Sequence, residues 1–167
     1  MDLLAYIERG GIIVTILIIM NIIGVTIMLW KSAVLFTANR NIVIISNEIM
    51  NELESPSMNE IAKIQSTIAL KMKNIESGLN TIKIIASLSP LIGLLGTVIG
   101  ILDSFDSISH LGLGDPTIFS GGISIALITT VAGLIVAIPH YVGYNYFIGS
   151  LDKIEIKVEK AVLDKIK

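Results

Sequence analysis

Three stretches of this chain carry no Asp, Glu, Lys or Arg for long enough to cross a bilayer, and no other feature restricts its fold as much. They run from Gly11 to Trp30, from Ile84 to Leu102 and from Thr117 to Leu151. A hydrocarbon core of ~30 Å needs about 20 apolar residues in a helix. As a helix rising ~1.5 Å per residue, the third run is roughly 52 Å long and must emerge on one side. Over 167 residues the chain is 53% hydrophobic and only 16% charged, with a mean hydropathy of +0.80. That is too apolar for an ordinary water-soluble domain of this size. The first run is expected to be a retained span. Its flank "MDLLAYIERGG" has mixed charge, and no small-x-small cleavage pattern follows.

Basic residues set the expected orientation. Of the 12, only Arg9 precedes the first span and none lies between Asp103 and Pro116. Lys31, Arg40, Lys63, Lys71, Lys73 and Lys83 fill the first connection and the rest follow Leu151. The positive-inside rule then places the N-terminus outside and the C-terminus in the cytoplasm. The expected layout is one all-α membrane domain over residues 1–167 with spans near 11–30, 84–102 and 118–142. Residues 31–83 and 143–167 would be cytoplasmic, and 1–10 and 103–117 periplasmic.

Periodicity fills in the cytoplasmic parts. Ile42, Ile45, Ile49 and Leu53 continue the helical spacing beyond Trp30 until "SPS" breaks it. Ser57 and Glu60 stand in the relation of a capping box and predict a helix start there. Ile61, Ile64, Ile68, Met72, Ile75, Leu79 and Ile82 then form a heptad-like seam expected to run straight into the second span. The first two spans would thus extend into a cytoplasmic helical hairpin. Leu151, Ile154, Val158, Ala161 and Ile166, among alternating charges, would extend the third into a stalk. The Gly pair at Gly10 and Gly11 is expected to loosen the entry to the first span.

Catalysis finds little support. With no Cys there is no thiolate nucleophile, disulfide or Cys-ligated metal. No His–carboxylate metal spacing, nucleophile elbow or phosphate-binding glycine loop occurs, so neither enzyme activity nor a resident metal or cofactor is expected. The net charge of -2 gives no reason to expect nucleic acid. The outer acids Asp103, Asp106 and Asp115 read as loop solubility or as ion attraction at a pore mouth.

What remains is a pair of small-residue stripes. Ser89, Gly93, Thr97, Gly100 and Ser104 recur every three or four residues in the second span. Gly122, Ala126, Thr129 or Thr130, Gly133 and Ala137 do so in the third. Close helix packing of the small-xxx-small kind accounts for them, with hydroxyls bonded back one turn. So does a mildly polar passage that accepts another helix or a few waters, and the two readings are compatible.

The blocks "LSPLIGLLGTVIGILDSF" (Leu88 to Phe105) and "GGISIALITTVAGLIVAIPHYVGYNYF" (Gly121 to Phe147) resemble the two signature blocks of the MotA/TolQ/ExbB proton channel family. The likeness is closest to its ExbB and TolQ branches. It implies a homopentamer in the bacterial inner membrane surrounding helices of an ExbD-like or TolR-like single-span partner with a membrane Asp. Proton flow would drive outer-membrane import with a TonB-like protein, or outer-membrane maintenance with a TolA-like one; a non-conducting structural ring is the remaining alternative. By resemblance Thr97 and Thr130 are pore-facing and tied to proton movement, with Thr129 beside them. Gly93, Gly96, Gly100 and Gly133 are packing glycines, and Pro90 and Pro139 match the family's prolines. Where the family carries a membrane Glu this chain reads "GISIAL", with Ile125. His140 replaces a small residue after "IP", and is expected half-solvated near the inner headgroups.

Overall fold

The computed structural model describes residues 3–53, 61–111 and 117–166. Among the described residues five helices follow one another: α1 (Leu3–Arg40), α2 (Ile42–Glu52), α3 (Ile61–Glu76), α4 (Leu79–Leu111) and α5 (Thr117–Leu163). There is no strand among the described residues. Three helices, spanning Ile7–Arg40, Leu79–His110 and Ser120–Leu163, are long and apolar enough to cross a membrane. The protein is an all-α membrane protein with three spanning helices, and each extends well beyond the charge-free run that announced it. Ser57 and Glu60, the expected capping box, lie outside the described residues.

Two compact units divide the chain. The first holds residues 1–26 and 81–142, the second 27–80 and 143–167. In the first unit, Leu17, Ile85 and Val136 form a small buried cluster, one from each long helix, with Ile13, Met20, Ile92 and Ala132 packed on it. Large side chains elsewhere in this unit point outward: Leu91, Leu94, Leu95 and Val98 of α4 and Leu127, Val131, Ile135 and Ile138 of α5 are all exposed. Such an outward apolar surface suits lipid, which is as apolar as leucine. Near the start of α1 the backbone leaves the helix at Gly11, with φ 57° and ψ -145°. That left-handed conformation is cheap only for glycine, so the Gly pair does interrupt the helix as its sequence suggested.

The second unit is built the other way round. Ile49 and Leu53, then Ile64, Ile68, Met72 and Leu79, and finally Leu151, Ile154, Val158 and Val162 are buried. Burying each such side chain is worth about 1.5–3 kcal/mol against leaving it in water. The seam is therefore real, with two departures. Ile61, its first expected member, is exposed, and the helix does not run straight on. It ends at Glu76 and restarts at Leu79, with Gly78 at φ +87°. A second break separates α1 from α2 at Asn41, which makes no side-chain cap.

Lys31 occupies the first of these breaks. Its side chain is 1% exposed. The ammonium donates to the Ile75 carbonyl at 2.9 Å and lies 4.6 Å from the Trp30 ring centroid. The last carbonyls of a helix have no partner of their own and carry its negative dipole end. A cation there satisfies one of them, and the carbonyl offsets the cost of burying the charge. The positive φ of Gly78 is what calls for glycine, and the Lys31 stem passes over it, 3.3 Å from where an added Cβ would sit.

Candidate functional site

The two small-residue stripes meet face to face within the first unit. Ser89, Gly93, Gly96, Gly100 and Ser104 of α4 are buried, as are Ala126, Thr129, Gly133 and Ala137 of α5. A Cβ placed on Gly93 would lie 2.8 Å from the Thr129 carbonyl oxygen, and one on Gly133 would lie 2.6 Å from that of Ser89. Gly100 similarly abuts the Gly122 carbonyl, at 2.5 Å. These approaches leave no room for any side chain, so α4 and α5 pack backbone to backbone and antiparallel. Pro90 and Pro139 both lie inside their helices; Pro90 is half-buried and Pro139 exposed.

Hydroxyls line this contact, and most are spent locally. Ser89 donates to the Ile85 carbonyl at 2.7 Å, Ser104 to that of Gly100 at 2.9 Å and Thr129 to that of Ala126 at 2.9 Å. Thr129 is fully buried, its side chain filling the space over Gly96. It is a packing residue with no open face. Thr130, one position on, is half-buried, and its hydroxyl meets that of Thr97 across the two helices. Thr97 can also donate to the Ala126 carbonyl at 3.1 Å or the Gly93 carbonyl at 3.4 Å, and Thr130 to the Gly93 carbonyl at 3.5 Å.

Two protons serve this pair, and they can be arranged in two ways. Either Thr130 donates to Thr97 and Thr97 to the Ala126 or Gly93 carbonyl, or Thr97 donates to Thr130 and Thr130 to the Gly93 carbonyl. A hydroxyl has one donor and two acceptor sites, so either arrangement leaves an oxygen lone pair unused. Such a lone pair is what a carboxyl or a water would need as acceptor. The threonine pair cannot carry an extra proton itself, and no Asp, Glu, Lys or Arg lies in either helix between Ile84 and Leu102 or between Thr117 and Leu151. Ile125 is half-buried.

Other candidates fall outside this site. Asp103 and Asp106 are exposed, and Asp106 faces His110 at 3.5 Å on the same helix. Asp115 lies outside the described residues. No group of His or acidic side chains fit to hold a metal occurs among the described residues. A groove of about 720 Å³ between α1 and α5 is lined by apolar side chains, with Asn21 and Ser124 as its polar members. It contains no titratable group.

His140 departs from its sequence expectation. It is 0% exposed rather than half-solvated, because its ring enters the space left by Gly24 of α1. Gly24, a small residue between Ile23 and Val25 in the first run, was the trace of this in the sequence. Lys31 was equally invisible, since a lysine just past a span reads as an interfacial charge.

Comparison with known proteins agrees with this architecture. The MotA/TolQ/ExbB proton channel family model matches residues 39–160. A putative biopolymer transport protein ExbB-like 1 of Helicobacter pylori is 30% identical over 157 residues, covering 83% of this chain and 83% of that protein. A putative biopolymer transport protein ExbB homolog of Methanothermobacter thermautotrophicus is 39% identical over 97 residues, 58% of this chain and 34% of that protein. The biopolymer transport protein ExbB of Pseudomonas putida is 34% identical over 99 residues, 59% of this chain and 30% of its own length. The chain thus spans about a third of the length of these last two relatives.

Proposed function

The chain belongs to the MotA/TolQ/ExbB proton channel family, and from that premise we propose that it is the ring-forming subunit of a proton-driven complex in the cell inner membrane. The ring, a pentamer by family likeness, encloses a single-span partner bearing a membrane Asp, and it energises import across the outer membrane through a TonB-like protein. The observation that carries this reading is the Thr97–Thr130 hydroxyl pair on an acid-free helix contact. A titratable group at membrane depth is costly, and proteins keep few of them. Between Ile84 and Leu102 and between Gly121 and Pro139 this chain offers hydrogen-bonding groups and no carrier, so the carrier comes from another chain. Thr97 and Thr130 receive and orient the partner's carboxyl, while Ile125 packs where relatives place a Glu.

Reconstitution tests the proposal. Liposomes containing this protein alone should pass no protons, addition of the partner should open flow, and Asp→Asn in the partner should abolish it. Flow from the isolated protein would remove the need for an outside carrier. A complex that assembles with the partner yet never conducts would favour a structural ring. The orientation is checked separately, on the strength of the basic residues clustered in 31–83 and 153–167. A reporter at Ser57 or after Lys167 should read as cytoplasmic and one at Gly112 as periplasmic.

A further inference from the structure

The buried imidazole of His140 has an assignable proton. Its Nδ1 lies 2.7 Å from the Val136 carbonyl oxygen, which can only accept, so Nδ1 carries hydrogen and donates. Nε2 then holds a lone pair. It is the buried side-chain polar atom that finds no partner among the described residues. What it faces is the backbone of Gly24: a Cβ added there would overlap Nε2, lie 2.5 Å from Cδ2 of the same ring and 3.0 Å from Cδ1 of Ile85. An unpaired acceptor against a Cα–H costs less than an unpaired donor, so the Nδ1–H tautomer is the one this notch tolerates.

We propose that His140 is a positioning residue, a key whose ring seats α1 against α5 in the notch left by Gly24, and that it takes no part in moving protons. A relay has to take a proton on one nitrogen and pass it from the other. Here Nε2 faces carbon, with no donor among the described residues to deliver a proton to it, and Nδ1 is held by a carbonyl of its own helix. The interlock is steric, so the two positions must be matched in size, and a small residue at 140 would leave the notch at Gly24 unfilled. Only the proton clause rests on the proposed channel function.

A size-swap cycle on the full chain with its single-span partner in liposomes tests both clauses. Gly24→Ala should lower the melting temperature of the complex sharply, and His140→Val should lower it less. The double variant Gly24→Ala/His140→Val lacks the ring atoms that the new methyl would strike, and should regain most of what Gly24→Ala lost. It should also conduct protons at the wild-type rate although it has no imidazole. A double variant no more stable than Gly24→Ala overturns the key; one that is stable but does not conduct makes His140 a relay. Nitrogen NMR of the otherwise unaltered complex, with only this chain labelled and His110→Asn leaving it a single histidine, should show Nδ1 protonated and Nε2 bare. A protonated Nε2 contradicts the proposal whatever the variants do. If the wild type itself conducts nothing, the channel reading fails, and the key is decided by melting temperature and nitrogen spectrum.

Discussion

Between α4 and α5 the nearest neighbours are glycines and backbone carbonyls, whereas the second unit is closed by Ile, Leu, Val and Met side chains. The solvent each unit is built for explains the inversion. In hydrocarbon a buried leucine gains nothing over one facing lipid, so helices associate where small residues let their backbones touch. In water the same leucine gains by leaving the solvent, so the large residues turn inward and lysines and acids cover the outside. One chain thus uses opposite rules for its interior, and Leu94 is exposed in one unit as naturally as Ile64 is buried in the other.

If this contrast is right, a large residue should be ruinous at the glycine contact, and loss of one should hurt the aliphatic seam. Gly93→Leu or Gly133→Leu should have the largest effect, with no folded complex recovered on size exclusion in detergent, because the facing backbone has nowhere to go. Intact complexes from either variant would show that the backbones need not touch. Ile68→Ala in the second unit should come next, costing about 2–5 kcal/mol in thermal or denaturant unfolding, with membrane insertion unchanged. A smaller stability effect, with a larger functional one, belongs to Thr130→Val or Thr97→Val. An interhelical hydroxyl bond in a membrane averages ~0.6 kcal/mol, so assembly should survive while partner-dependent proton flow drops. Full flow in both Val variants would reduce the pair to packing. Smallest of all is Glu48→Gln, which breaks the ion pair with Lys71 at 3.1 Å between partly exposed side chains. It should cost less than about 1 kcal/mol and vanish in high salt.

Much of both units could be read ahead of the structure because each obeys a single helical period. Ser89, Gly93, Gly100 and Ser104 face inward as their spacing requires, and so do Ile64, Ile68 and Met72. Thr129 and Thr130 mark where that reasoning stops. Adjacent residues on a helix point about 100° apart, and a stripe with tolerance for either does not choose between them. Packing against Gly96 takes Thr129 out of play and leaves Thr130 to meet Thr97. The breaks at Asn41 and at Ser77–Gly78 were likewise missed, since the apolar spacing passes through both. In the tail, the buried member near the end is Val162, next to the expected Ala161, a slip of one residue.

The amino-acid sequence by itself determined that this is a three-span helical membrane protein, which helix faces are small and which are large, and that no carboxylate lies in residues 84–102 or 117–151. Those properties are sums over many residues of lipid and water preference, and they need no knowledge of which helix lies beside which. Tertiary structure alone decided the one-to-one matches: Thr97 with Thr130, Thr129 over Gly96, the His140 ring against Gly24, and the Lys31 ammonium on the Ile75 carbonyl. Each pairs residues at least 33 positions apart in the sequence. A pairing of that kind depends on the rotation and depth of two helices together, and neither helix encodes it separately.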